Sequence, residues 1–362
     1  MEKTIKQRSV RKIVFLISFI LIILLVGVGV YLKFNQQVLR FVSIADPFPN
    51  PLMGWAPWAS VKNIEQPHSL VYADLTWREL EPKEGEFDFS IFEERNQLQH
   101  WSHAGKRVVF RFILDKPALE KHLDIPDWLY EKINADGDFY DNEYGLGFSP
   151  DYSNPILLEY HRRAIQALGK QFAQDDLIAF IEIGSLGHWG EWHTNFGAGV
   201  QRMPMQDIRN SYVMHYIEAF PNTHLLMRRP FPIADQFGLG LFNDLTGDFE
   251  STKTWIDWIE NGGYYDQTEE LSNYSPMPNS WKISPIGGEQ AWLLSNEEMY
   301  DQNLEQTIQL LKASHTTFIG PGSPYKDEYG GGLQKGYDHV MSTIGYHFYV
   351  DQLILQRFIV FS

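Results

Sequence analysis

The 362-residue chain contains no cysteine, which excludes disulfides and attachment as a lipoprotein. That count fits a bacterial surface protein. Basic residues are scarce, with 30 Lys and Arg against 46 Asp and Glu and a net charge of −16. The first 33 residues carry six Lys/Arg and one Glu, a surplus of +5, which leaves −21 for the rest. Such a balance argues against nucleic acid as a partner and gives a solvated acidic surface that keeps the domain soluble. There is no repeat of fixed period and no low-complexity stretch. With 44% apolar and 21% charged residues, the composition is that of an ordinary globular protein rather than a disordered one.

One hydrophobic run stands apart. Ile13 to Leu32 is uncharged, long enough to cross a bilayer, and preceded by Lys3, Lys6, Arg8, Arg11 and Lys12. These cations place the N-terminus inside the cell and the bulk of the chain outside. A cleavable signal peptide would have a shorter apolar region and a small-x-small cleavage site, which does not follow this run. The expectation is a single-pass anchor in the cell membrane over residues 1–35, carrying an extracellular domain.

After an expected linker at 36–46, short β-branched or aromatic runs alternate with segments of helical character. The runs are Met53–Trp58, Leu70–Leu75, Arg107–Leu114, Leu177–Ile183, Thr223–Arg228, Gly240–Asp244, Ile283–Gly287 and Thr316–Ile319. Helices are expected at Phe89–His103, Pro155–Gln174, Met205–Phe220, Trp255–Asn261 and Asn296–Ser314. Eight strands with intervening helices predict an α/β fold, a (β/α)8 TIM barrel over 47–335. Residues 336–362 are expected to be a β segment.

In such a barrel, chemistry sits where strands end. Three segments bring carboxylates there: Trp77 to Phe89 after the second strand, His188 to His193 beyond the fourth, and Gly287 to Trp292 at the seventh. Arg111, Arg228 and Asp244, in or ending the third, fifth and sixth strands, are candidates to line the same mouth or to form structural ion pairs; Asp74 on the second strand is a further candidate. Trp55, Trp77 and Trp292 are positioned to floor a sugar ring, whereas Trp101, Trp255 and Trp258 fall in helices and are expected to pack. His188, Glu191 and His193 form an H-x-x-E-x-H cluster whose spacing matches no standard zinc motif, so no metal is assigned. His193 is expected to orient Glu191 or touch a sugar hydroxyl.

The sequence W-x-x-x-E-P-x-x-G-x-F-D-F at Trp77–Phe89 resembles retaining glycoside hydrolases of the large TIM-barrel clan, notably the family-42-like β-galactosidases. N-P-x-x-G-W at Asn50–Trp55, W-G-E-W-H at Trp189–His193 and G-G-E at Gly287–Glu289 resemble more closely a family of uncharacterised bacterial barrel proteins. The resemblance covers roughly residues 45–335 and implies a C-terminal β-sandwich, of which 336–362 would be the truncated start. It implies that the acid/base and the nucleophile fall on Glu191 and Glu289. Where the clan has Asn before the acid/base, this chain has Gly190, which makes Glu182 the competing acid/base. In these enzymes Glu81-Pro82 shapes the loop after the second strand.

Glycoside hydrolysis needs two carboxyl groups of separated pKa, one to protonate the leaving oxygen and one to attack or to activate water. Trp189 and Trp192 are expected to keep Glu191 protonated, and backbone groups near Gly287 and Gly288 to keep Glu289 ionised. The function expected is a membrane-anchored extracellular glycoside hydrolase-like barrel acting on a polysaccharide or oligosaccharide, without a cofactor. The alternatives are a non-catalytic carbohydrate-binding barrel and a metal-dependent hydrolase or deacetylase built on the histidine cluster.

Overall fold

The structure is a computed structural model, which describes residues 2–34, 36–42, 47–324 and 329–356. Two compact units are present, one formed by residues 1–45 with 347–362 and the other by residues 46–346.

In the larger unit, eight parallel strands form one sheet: Gly54–Trp55, Leu70–Thr76, Arg107–Ile113, Ile178–Glu182, His224–Met227, Gly240–Thr246, Ile286–Gln290 and Phe318–Gly320. They are called the first to eighth strands below. The hydrogen-bonded order runs first, eighth, seventh and down to second. A parallel bridge between Trp58 and Tyr72 joins the ends, with Tyr72 N donating to Pro57 O (2.7 Å) and Ala59 N donating to Tyr72 O (2.8 Å). The result is a closed TIM barrel.

Its strands are buried on both faces, which is why they read as nearly continuous apolar runs. Leu70, Tyr72, Val109, Phe180, Leu226, Phe242 and Phe318 fill the interior, where Phe180 and Phe318 stack at 5.2 Å. The alternate residues, such as Val71, Ala73, Val108, Phe110 and Ile181, pack outward under the helices.

The seventh strand begins three residues later than expected. Trp281 and Lys282 lie in a short 3-10 turn, Ile283 is exposed, and Pro285, which lacks an N–H, directly precedes the strand. The expected helix Phe89–His103 is two helices, Ser90–Arg95 and Leu98–His103, parted at Gln97, whose φ is +52°. Trp255–Asn261 extends back to Phe249, because the Asp248 side chain caps the backbone of Ser251. Asn296–Ser314 reduces to one π-helical turn, Glu298–Gln302, followed by the helix Leu304–Ser314. A six-residue helix, Pro232–Phe237, makes the short crossover between the fifth and sixth strands. The helix Gln334–Met341 takes up the start of the expected β segment 336–362, and Tyr337, Val340 and Met341 pack against Trp55.

In the smaller unit, Glu2–Phe34 is one helix, of which Lys12–Tyr31 is long and apolar enough to cross a membrane. Gln36–Arg40, in the expected linker, is a strand paired antiparallel with Gln352–Gln356. The remaining linker residues 43–46 and the last part of the C-terminal segment, 357–362, lie outside the described residues.

Phe180 fills the barrel interior against a stacked ring, so Phe180→Ala should cost about 3–5 kcal/mol of stability, read from urea denaturation. A loss below about 1 kcal/mol would mean that the interior is not packed as described.

Candidate functional site

The interior alternation of the strands builds the site. Two residues beyond Tyr72, Val109, Phe180, Leu226 and Phe242, and so on the same face, stand Asp74, Arg111, Glu182, Arg228 and Asp244. On the seventh strand Glu289 follows Gly287, where a side chain would strike Phe318 and Leu226. The ladder to the sixth strand is irregular between Gly288 and Gln290, a bulge that re-aims Glu289. The apolar filling of the barrel therefore gives way, at the C-terminal strand ends, to a layer of six charged side chains.

Arg111 is the hub. It is 2% exposed, and its Nη2 contacts Glu182 Oε2 at 2.5 Å and also Glu289 Oε1. Its Nη1 lies 3.8 Å from Glu191 Oε1 and 3.4 Å from the carbonyl of Trp189. Tyr72 donates its hydroxyl to Glu182 Oε2 at 2.8 Å. The structure thus brings Glu182, Glu191 and Glu289 onto one guanidinium. Glu182 is fully buried and its Oε1 has no hydrogen-bond partner among the described residues, whereas the Glu191 and Glu289 side chains retain 17% and 12% exposure.

Glu191 reaches the mouth because the loop after the fourth strand doubles back over the strand end. Gly187 and Gly190 adopt φ of +79° and +74°, and Trp189 and Trp192 are also left-handed. A Cβ on Gly190 would sit 1.9 Å from the carbonyl oxygen of Gly184, so any side chain there collides with backbone. Glycine at 190 is thus required by the close approach of the loop to the strand end. The loop is tied down from three sides. Trp192 donates Nε1–H to the Ile183 carbonyl at 2.7 Å, Tyr265 donates its hydroxyl to the Trp192 carbonyl at 2.7 Å, and Trp189 N donates to the Asp115 carbonyl at 2.8 Å.

Arg228 and Asp244 pair at 2.6 Å within the charged layer. His193 lies beside the site, with Nδ1 3.9 Å from Glu191 Oε2. Asp74 stands opposite Arg111 in strand register but is held by Lys116 and Arg95. His188 turns away and bonds Asp115 at 2.9 Å, itself bound by the Tyr140 hydroxyl, so the histidine cluster does not converge. Among the described residues no group of three or more His, Cys, Asp or Glu is placed to hold a metal.

Two of the three expected ring platforms are elsewhere. Trp55 is buried outside the barrel between Tyr300 and Tyr337, because its strand turns that side chain away from the interior. Trp77 is fully buried and donates to Glu81, whose other oxygen accepts from Gly85 N, so both belong to the scaffold of the second loop. Trp292 is 81% exposed. Trp101 and Trp255 are buried, as packing residues should be. Aromatic surface near the site comes instead from Trp189, whose ring lies 5.3 Å from Tyr144 and 6.2 Å from His193, and from Trp58 beside Lys116. Tyr72, Tyr144 and Lys116 add to the residues expected from sequence; the same interior alternation that yields Asp74 also points to Tyr72.

One positive charge cannot neutralise three carboxylates in a dry site. Burial pushes Glu289 up to about 8 against the pull of Arg111. Burial, with Asp244 and Glu289 adding negative charge, raises Glu191 well above the usual carboxyl range, and Glu182 is raised as well. The expectation that backbone near Gly287 and Gly288 keeps Glu289 ionised does not hold: both glycines are paired in the strand ladder, and Arg111 is the counter-charge.

No family model and no curated protein matches the chain. Among solved structures it is similar to endo-glycoceramidase II from Rhodococcus sp. (14% identity, TM-score 0.48, covering 80% of this chain and 78% of that one). It is also similar to an exo-beta-1,4-mannosidase from Opitutaceae bacterium strain TAV5 (9%, 0.43, 84% and 58%) and to a psychrophilic family 10 endo-beta-1,4-xylanase (13%, 0.36, 74% and 72%).

Two outcomes are expected from the geometry. Gly190→Asn should displace Glu191 from the mouth and destabilise the chain by about 1–3 kcal/mol, read by thermal unfolding; a neutral change would contradict the close approach to Gly184. The folded chain also holds protons on its raised carboxyls that the unfolded chain releases, so stability falls as pH rises between the unfolded and folded pKa values. For Glu289 that window runs from about 4.5 to about 8. Glu289→Gln, which mimics the protonated form, should gain on wild type by on the order of 1.4 kcal/mol per pH unit across the window and level off above it. A pH-independent difference in urea denaturation would overturn this assignment.

Proposed function

We propose that the chain is a membrane-anchored glycoside hydrolase, its barrel outside the cell, acting on an oligosaccharide or polysaccharide. The observation that carries this reading is the meeting of Glu191 and Glu289, from two different strand ends, on the single guanidinium of Arg111 at the C-terminal face. In this reading Glu289 is the nucleophile and Glu191 the general acid and then base. Glu191 is preferred to Glu182 because it keeps exposure at the mouth, while Glu182 is sealed beneath it by Tyr72 and Arg111. The kinship to family-42-like enzymes suggested by the sequence motifs belongs to the same proposal.

The mechanism is retaining. Retention follows from the resemblance of the Trp77–Phe89 motif to retaining glycoside hydrolases, whose two carboxyls stand about 5–5.5 Å apart rather than about 6.5–9.5 Å as in inversion. Glu289 Oε attacks the anomeric carbon while the Glu191 proton passes to the leaving oxygen, giving a glycosyl ester on Glu289. Water, deprotonated by Glu191, then displaces the sugar and restores both groups. Arg111 holds Glu289 in place and favours its ionised form, and Trp189 with Tyr144 offers ring faces for stacking. The helix Lys12–Tyr31 supplies the anchor.

A second reading, a carbohydrate-binding barrel without turnover, draws on the elevated pKa of Glu289, which leaves that carboxyl protonated at neutral pH. The two separate in one experiment. A hydrolase should cleave members of a glycan library with retained configuration by proton NMR, with kcat/KM rising with pH through about 8 as Glu289 ionises. Glu289→Gln should reduce cleavage to background, and Glu191→Gln should lose about 10²–10⁴-fold. Binding of the same glycans by wild type and Glu191→Gln, with cleavage by neither, would establish the binding barrel instead.

A further inference from the structure

A cavity of about 750 Å³ opens at the C-terminal ends of the second and third strands. Thr76, which ends the second strand, and Lys116, just past the third, are in its wall. It meets the charged layer at Asp74, whose carboxylate contacts Lys116 Nζ and lies 3.5 Å from Arg95 Nη2. Asp74 in turn faces Arg111 across the strand register. The cavity is therefore next to the mouth that carries Glu191 and Glu289.

Its lining opposes the charge of the molecule. Arg78, Arg95, Lys116, Lys121 and His122 contribute cations, against Glu79, Asp124 and Asp127. His122 counts as a cation on geometry. Its Nδ1 is 2.8 Å from the Glu120 carbonyl, and its Nε2 is 3.0 Å from the Lys116 carbonyl and 3.2 Å from Asp124 Oδ2. A ring facing acceptors from both nitrogens donates to both only as imidazolium; the hydrogen bond to Asp124 accordingly pushes its pKa up to about 9. With Asp74, which pairs with Lys116 and Arg95, counted beside the three lining anions, five cations leave a surplus of +1 in a chain whose net charge is −16.

Part of this charge is free for a ligand. Among the described residues Lys121 makes no ion pair; its ammonium sits 3.9 Å from the centre of the half-exposed Phe139 ring. Arg78 pairs with Asp127 in an exposed bridge, with 42% and 69% of the side chains accessible, which an incoming anion replaces at little cost. A planar guanidinium and an ammonium over an aromatic face in one cavity match an oxyanion, while the His122 imidazolium, its N–H groups already bonded to Glu120, Lys116 and Asp124, adds charge alone.

Resting on the glycan reading above, we propose that this cavity is a subsite for an anionic substituent of the sugar chain, so that the protein selects acidic glycans over neutral ones of the same backbone. The group recognised is a carboxylate, sulfate or phosphate oxyanion. Because the overall charge of the protein repels polyanions, a preference for acidic glycans must arise locally.

The full chain in detergent, applied to an array of uronate-bearing, sulfated, phosphorylated and matched neutral oligosaccharides, tests this. One acidic class should bind about tenfold or more tightly than its neutral counterpart at low salt, with the margin shrinking as salt rises. Lys121→Glu combined with Arg78→Gln should bring that margin to within about twofold and leave neutral binding and cleavage unchanged. Both positions lie at the surface, and Lys121→Ala alone, expected to give an intermediate margin, guards against a misfolded double variant. Neutral glycans bound and cleaved with no acidic preference, or a preference that survives the double variant, would overturn the subsite alone. Failure to bind any glycan, acidic or neutral, would overturn the glycan reading with it.

Discussion

The site is organised around a shortage of positive charge. Arg111, itself almost wholly buried, is shared by Glu182, Glu289 and, at longer range, Glu191. A lone guanidinium in a dry barrel is costly, and so is each carboxylate, and neither is tolerable without the other. Shared three ways, the one guanidinium does not offset burial, and all three carboxyls are raised above their ordinary values.

That arrangement depends on the strands being regular and the loops being irregular. Period-two alternation lifts Arg111 and Glu182 to the same level of the barrel, directly above Val109 and Phe180. Glu191 comes by the opposite route, a turn of left-handed residues that only glycine at 190 permits. The Tyr265 hydroxyl and the Asp115 carbonyl secure this turn from separate parts of the chain. Strained backbone at a charged cleft, held from several sides, is the pattern expected of a functional site.

The barrel was readable because its strands are buried on both faces and so stand out as apolar runs between helices. Where a run was extended by an apolar residue outside the sheet, as at Ile283, the boundary slipped. Glu289, Arg111, Arg228 and Asp244 were legible as candidates from their places in or at the ends of strands, and Glu191 from the motif beyond the fourth; Arg228 and Asp244 are partners of one another. Trp55 was misread because position along a strand does not say which face a side chain takes, and Trp77 because it opens the short helix Trp77–Leu80 past the second strand, which buries it. The second cavity was hidden for a different reason: its cations come from the second and third strand loops and a helix between them, and nothing local marks them as a group.

The ring of strands is closed at one seam, where Tyr72 exchanges main-chain hydrogen bonds with Pro57 and Ala59, and the hydroxyl of that same residue holds Glu182. The first strand is only two residues long, so this seam is the thinnest part of the wall. Local opening of a protein starts where few hydrogen bonds must break. The barrel is thus built so that one side chain serves both its closing joint and a fully buried carboxyl of the charged layer, and local opening of the seam loosens the tyrosine that holds Glu182.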